Sequence, residues 1–213
     1  MVKLDIISDP ICPWCFIGKT HLDVALAQRP NHPFELEWHP FQPNPTMPAG
    51  GMDRREYLET KFGGKEAAIR AYAPVVEHSE RAGLSIDFEG MKVTPNTLDA
   101  HRLIHWAGIE KKQNAVVDAL FQAYFVEACD IGDHDVLSDI ADAAGMDASV
   151  VRRLLHSDAD RNDIQKRDSH SRKMGVTSAP TFIVAQKHAV PGAQPPEMWT
   201  KVIDEVTAQL DTV

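Results

Sequence analysis

No apolar run in this chain of 213 residues approaches the roughly 18 to 20 needed to cross a bilayer. The earliest run, from Val2, is interrupted by Asp5 and Asp9, so it does not read as a secretory leader, and the protein is expected in the cytoplasm. Basic charge is also short. Lys and Arg number 22 against 31 Asp and Glu, a formal net charge of −9, and no basic cluster exists; neither nucleic acid nor an anionic membrane is expected as a partner. Cysteine is scarce: three in all, with no second Cys-x-x-Cys, which excludes a disulfide framework and leaves a tetrahedral zinc site two ligands short. Internal repeats and low-complexity stretches are missing, and nothing in the composition selects an oligomeric state.

What the chain does have is Cys12-Pro13-Trp14-Cys15, set between an apolar run, Val2 to Ser8, and a segment with helical periodicity. Two thiols three apart at a helix start can reach each other for a disulfide. The helix N-terminus lies behind the first and favours its thiolate. Pro13 suits the first turn, where no amide donor is needed, and Pro30 helps to end a helix expected over Pro13 to Gln28. Cys15, Gly18, Leu22, Ala25 and Leu26 share one stripe, so Cys15 should point inward while Cys12 stays accessible. Thiol–disulfide exchange needs a thiolate to attack and a second thiol to resolve the mixed disulfide, and this pattern assigns the two roles to Cys12 and Cys15.

Phe34 to Phe41 alternates apolar and polar residues and reads as a second strand, completing a βαβ unit. A loop rich in Pro and Gly, Gln42 to Gly51, then leads into about a hundred residues of helical pattern. The strongest amphipathic stretch there is Ala115 to Ala128, and Asp133 and Asp147 are expected helix caps. Ten aspartates between Asp130 and Asp168 face five Lys or Arg and read as a solvated acidic face. Strand signals return at Thr181 to Ala185 and His188 to Val190, followed by a closing helix from Pro196 to about Leu210. The expected layout is an α/β domain of residues 1–45 and 174–213, its middle helix starting near 160, with an all-helical insertion over 46–160.

Asp9-Pro10-Ile11-Cys12-Pro13-Trp14-Cys15-Phe16-Ile17-Gly18-Lys19, with Val176-Thr177-Ser178-Ala179-Pro180-Thr181-Phe182, resembles the thioredoxin superfamily and its DsbA-like group. Asn96 to Leu103 and Gly192-Ala193-Gln194 narrow the likeness to the FrnE-type branch, related to 2-hydroxychromene-2-carboxylate isomerases and kappa-class glutathione transferases. The resemblance implies a thioredoxin fold, βαβ…ββα, with Ala179–Pro180 cis and Pro180 beside Cys12. It implies thiol or disulfide substrates, protein or glutathione, and no tightly bound cofactor. Pro13, Trp14, Ala179 and Pro180 would support the redox pair; His39, Asn96 and Gln194 would bind substrate or glutathione.

The isomerase and transferase relatives carry serine at the position matched by Cys12. Both cysteines are present here, so disulfide exchange is favoured over glutathione-dependent isomerisation or transfer, and over a non-catalytic peptide-binding or ligand-binding platform. The buried acid that thioredoxin-like reductases often place six residues before the first cysteine is replaced by Ile6, and Asp9 reads as a turn residue. His101 and His105 are four apart on one helix face, but no acid motif accompanies them and no metal is assigned. Cys129 stands alone at a helix end.

Overall fold

The structure, a computed structural model, describes residues 1–211. Its centre is a four-stranded sheet ordered β2-β1-β5-β6, formed by β1 (Val2–Ser8), β2 (Phe34–Pro40), β5 (Thr181–Val184) and β6 (His188–Pro191). β1 pairs parallel with β2 and antiparallel with β5, so both its edges are occupied, and its apolar run is explained by burial on both faces. α1 (Pro13–Gln28) supplies the parallel crossover and packs on α9 (Pro196–Asp211). Ile6 lies opposite Phe182, whose ring meets Trp199 of α9 edge-on at 4.7 Å; Asp5, Ile7 and Ile183 point to the other face, under α8 (Arg161–Lys173).

Between β2 and β5 the chain forms α2 (Arg54–Phe62), α3 (Lys65–Arg81), α4 (Leu98–Ile109), α5 (Gln113–Phe121), α6 (His134–Ala143), α7 (Ala148–Leu155) and α8. The Asp133 and Asp147 side chains cap α6 and α7, accepting from Asp135 N and from Ser149 N and Val150 N. The amphipathic stretch expected over Ala115 to Ala128 begins earlier, at Gln113, and changes pitch. After Phe121 it widens into a π-helical turn, Gln122–Val126, which sets Phe125 against Phe16 of α1 and Tyr124 against Arg54 of α2. Phe16 also stacks on Phe121 at 5.2 Å, so the inserted helices and the sheet share one apolar core.

One feature departs from a purely helical insertion. Met52–Asp53 (β3) and Val93–Thr94 (β4) form a two-stranded antiparallel ribbon that fixes the start of α2 beside the segment leading to α4. Gly51 enters it at φ 72°, where a Cβ would lie 2.7 Å from Thr94 O, so no other residue fits. Smaller departures concern strand ends. β2 stops at Pro40, and β5 stops at Val184 because Ala185 and Gln186 take positive φ and turn the chain into β6. β6 runs one residue further than expected, to Pro191.

Candidate active site

Ser8 ends the central strand, and the chain turns through Asp9-Pro10-Ile11 into α1. Asp9 shapes the turn: its Oδ1 accepts from Ile11 N at 2.9 Å and its carbonyl from Cys12 N at 3.1 Å. Cys12 is the N-cap residue, with extended backbone (φ −87°, ψ 112°), and Pro13 takes the first helical position, as its fixed φ and missing N–H favour. Cys12 is half-buried and Cys15 is 1% exposed, tucked under the first turn. Both are free thiols. Across the gap the Ala179–Pro180 peptide is cis, and the Cys12 thiol donates to Ala179 O at 3.5 Å. Gly18, one turn into α1, lets this loop close in: a Cβ there would lie 3.2 Å from Pro180 Cγ and 3.3 Å from Ala193 Cα.

The two sulfurs are driven in opposite directions. A hydrogen bond from the Cys15 thiol, with the amides of Cys15 and Trp14, lowers the Cys12 pKa below its usual value, against burial and the Asp9 charge. Burial, reinforced by the neighbouring Cys12, pushes Cys15 well above the ordinary thiol range, against hydrogen bonds from the Ser8 hydroxyl and Asp9 amide. One thiol is thus prepared as a thiolate and the other held protonated.

Cys12 opens into a groove of about 400 Å³ roofed by α2 and α3. Trp14 forms one wall and meets His78 of α3 edge-on at 5.2 Å. Tyr57, Leu58, Phe62, Tyr72 and Val75 make the roof apolar and aromatic, and Thr177, Ser178 and Ala179 form the opposite lip. Three cations line the groove, Arg54, Lys61 and Arg172, and no acidic residue does. Arg172 lies over the Phe41 ring at 4.1 Å and is held by Asp168, whereas Lys61 donates to the Tyr57 hydroxyl. Arg54 is 6% exposed. Its two assigned bonds go to the hydroxyls of Tyr124 (3.0 Å) and Tyr72 (3.2 Å), and no carboxylate among the described residues pairs with it.

The residues singled out in the sequence are only partly gathered here. Cys12, Pro13, Trp14 and Ala179 line the groove, Pro180 stands behind them, and Cys15 lies beneath. His39 faces away, its Nε2 2.8 Å from Asp5 Oδ1 in a cleft under α8. Asn96 braces the loop after β2, accepting from Gln42 Nε2 and donating to Met47 O. Gln194 turns its amide onto Pro191 O at 2.7 Å. None of these three is among the groove residues. His101 is buried, with Nε2 3.0 Å from Asp9 Oδ2, and Cys129 is remote from the pair, its thiol directed at Glu127 O. Arg54, Tyr57, Leu58, Lys61 and Phe62 escaped the sequence reading, although their i, i+3, i+4, i+7, i+8 spacing puts them on one face of α2.

A parallel βαβ half, two antiparallel strands and a closing helix, with a Cys-x-x-Cys helix start facing an Ala-Pro lip, define a protein of the thioredoxin fold. The chain belongs to the family of the DSBA-like thioredoxin domain, whose pattern it matches over residues 3–204. It is similar to the Bacillus subtilis protein YwbO, 27% identical over 210 residues and 96% of each chain. Among solved structures, it superposes on a probable DsbA oxidoreductase from Streptomyces coelicolor with a TM-score of 0.85, at 26% identity over 98% of this chain and 91% of that one. A cytosolic disulfide reductase, DsbM from Pseudomonas aeruginosa, solved with GSH, shares the fold at TM-score 0.68 and 16% identity (97% and 99% covered). A 2-hydroxychromene-2-carboxylate isomerase shares it at 0.74 and 14% (99% and 98% covered). No helix among the described residues is long and apolar enough to cross a membrane.

Proposed function

We propose that the protein is a dithiol–disulfide oxidoreductase that works through Cys12 and Cys15 on small anionic disulfides, of which glutathione disulfide is the representative. The observation that carries this reading is the placement of the two thiols at the start of α1, Cys12 opening into the groove against the cis Ala179–Pro180 lip and Cys15 buried beneath it, with the first driven down and the second up in pKa. Cys12 thiolate attacks a substrate sulfur, releasing one thiolate and leaving a mixed disulfide. Cys15 then attacks Cys12 Sγ, releases the second thiolate and closes the Cys12–Cys15 bond, which an external thiol must reduce for the next cycle. Ala179 and Pro180, at the lip, orient the sulfur being exchanged.

The groove supports a small charged substrate. Its volume of about 400 Å³ suits a short peptide-sized molecule, and its three cations without an acid favour carboxylates although the chain as a whole is acidic. That DsbM was solved with GSH agrees with this choice. The test is turnover of glutathione disulfide by wild type, Cys12→Ser and Cys15→Ser. Loss in Cys12→Ser, and a glutathione adduct that accumulates on Cys12 in Cys15→Ser, are expected; full turnover by Cys12→Ser refutes the proposal. A glutathione-dependent isomerase on this scaffold would keep its activity in Cys15→Ser. A passive binding protein would show two inert thiols at neutral pH.

A further inference from the structure

If Cys12 and Cys15 exchange disulfides as proposed, Cys15 must lose a proton from a buried site before it can attack Cys12 Sγ. The acid often placed for this task in thioredoxin-like reductases is absent, since Ile6 fills that position in the core. The structure nevertheless holds a buried acid close by. Asp9 is 0% exposed, and its Oδ2 accepts from the Thr97 hydroxyl at 2.7 Å and faces His101 Nε2 at 3.0 Å; His101 is 3% exposed. A turn needs no such arrangement, because Oδ1 alone serves the turn by accepting from Ile11 N. Thr97 itself accepts from Gln42 Nε2, so its proton is directed to Asp9.

Cys15 connects to this pair. The Ser8 hydroxyl is placed to favour the Cys15 thiolate, and Ser8 and His101 both line a cavity of about 10 Å³. That is about the room that one water requires. His39 lines the same cavity but commits its Nε2 to Asp5.

We propose that Ser8, a water in this cavity and the His101–Asp9 pair form the proton relay of Cys15. In the mixed disulfide the Cys15 proton passes to the Ser8 oxygen while the Ser8 proton moves through the water to the imidazole. Cys15 Sγ bonds to Cys12 Sγ, the bond from Cys12 to the substrate sulfur breaks, and that sulfur leaves as a thiolate with the electron pair. The proton rests on His101, whose imidazolium is stabilised by the Asp9 carboxylate, and returns along the same path when the disulfide is reduced. His101, Asp9 and Ser8 are positioning residues that act through Cys15. The other charged groups near the relay are Cys12, His39 with Asp5, and, beyond Gln42, the Asp168–Arg172 pair.

The experiment is single-turnover reaction of the full chain with Ellman's reagent, in a Cys129→Ser background so that only two thiols report. The first thionitrobenzoate released times Cys12 attack; the second times resolution by Cys15. In His101→Gln the second release is expected to slow at least tenfold near neutral pH. Its rate should then climb with hydroxide toward the high Cys15 range instead of levelling off, while the first release still occurs. Ser8→Ala should shift the second release in the same way, and it decides the matter if His101→Gln does not fold. A second release with unchanged rate and pH profile in the folded variants overturns the relay, as does a profile that moves with His39→Gln and not with His101→Gln. Absence of the first release in wild type would instead refute the redox reading itself.

Discussion

Arg54 offers a sharp test of substrate choice. Its guanidinium is buried beside the groove, donates to the phenol oxygens of Tyr72 and Tyr124, and has no carboxylate partner among the described residues. A buried cation without an anion is costly, and a substrate carboxylate would remove that cost. A charge-assisted hydrogen bond is worth roughly 1.5–3 kcal/mol, and at about 1.4 kcal/mol per decade Arg54→Met should lower kcat/KM for glutathione disulfide about 10- to 150-fold. Arg54→Lys keeps the charge without the planar fork and should fall between. The assay pairs glutathione disulfide with hydroxyethyl disulfide, which is neutral and should lose less than about threefold. The variant also gives up two charge-assisted hydrogen bonds to tyrosines, roughly 1.5–3 kcal/mol each, so thermal unfolding must confirm that it is folded at the assay temperature. Equal losses for both substrates would refute the recognition role and show that Arg54 only props up the roof. No loss for either would refute it as well.

Other perturbations follow from the same geometry. Iodoacetamide should label Cys12 with a midpoint below the usual thiol value, leaving Cys15 unlabelled until far higher pH; mass-mapped labelling that finds Cys15 first would contradict the site. Arg102→Met should cost about 3–5 kcal/mol in urea unfolding, because it takes the guanidinium donor from four backbone carbonyls and one of three basic partners from Asp99; a loss below about 1 kcal/mol would refute this. Asp99 is raised by burial but held below its ordinary value by Arg102, His134 and Arg161, so its stabilisation is full above the unfolded carboxylate pKa and lost as pH falls through the folded one. Asp99→Asn should therefore fall behind wild type above about pH 4 and converge with it in stronger acid, as urea midpoints against pH would show. Gly18→Val should destabilise by about 1–3 kcal/mol and slow exchange, since Pro180 and Ala193 must move away from α1; an unchanged melting temperature and rate would contradict that packing.

The parts of the fold legible in the sequence are those encoded locally. β1 and α1 appear with the expected bounds because a short apolar run, a proline at the first helical position and a second proline past the end are signals within a few residues of the structure they set. The same holds for the inward stripe that buries Cys15. The β3–β4 ribbon was illegible, since two residues per strand carry no periodicity. Asp9 was half legible: the turn was read from its neighbours, but its second oxygen depends on His101, ninety-two residues away, which no local pattern connects to it. The groove cations failed for a similar reason. The face of α2 that carries Arg54 and Lys61 was visible as spacing, but that it roofs Cys12 is decided by tertiary packing.

Arg102 has a consequence for how the chain can change. It holds the backbone of the last turn of α7 and of the segment leading to α8 through the carbonyls of Leu154, Leu155, Ser157 and Ala159, and not through their side chains. Leu155 lies in the core and Leu154 and Ala159 pack against it, so the exposed positions 156 to 158 are the ones open to wide substitution so long as the chain keeps its length. Tolerance there is borrowed from one residue on α4, and a library randomised over both regions would find a permissive loop tied to an arginine that nothing replaces.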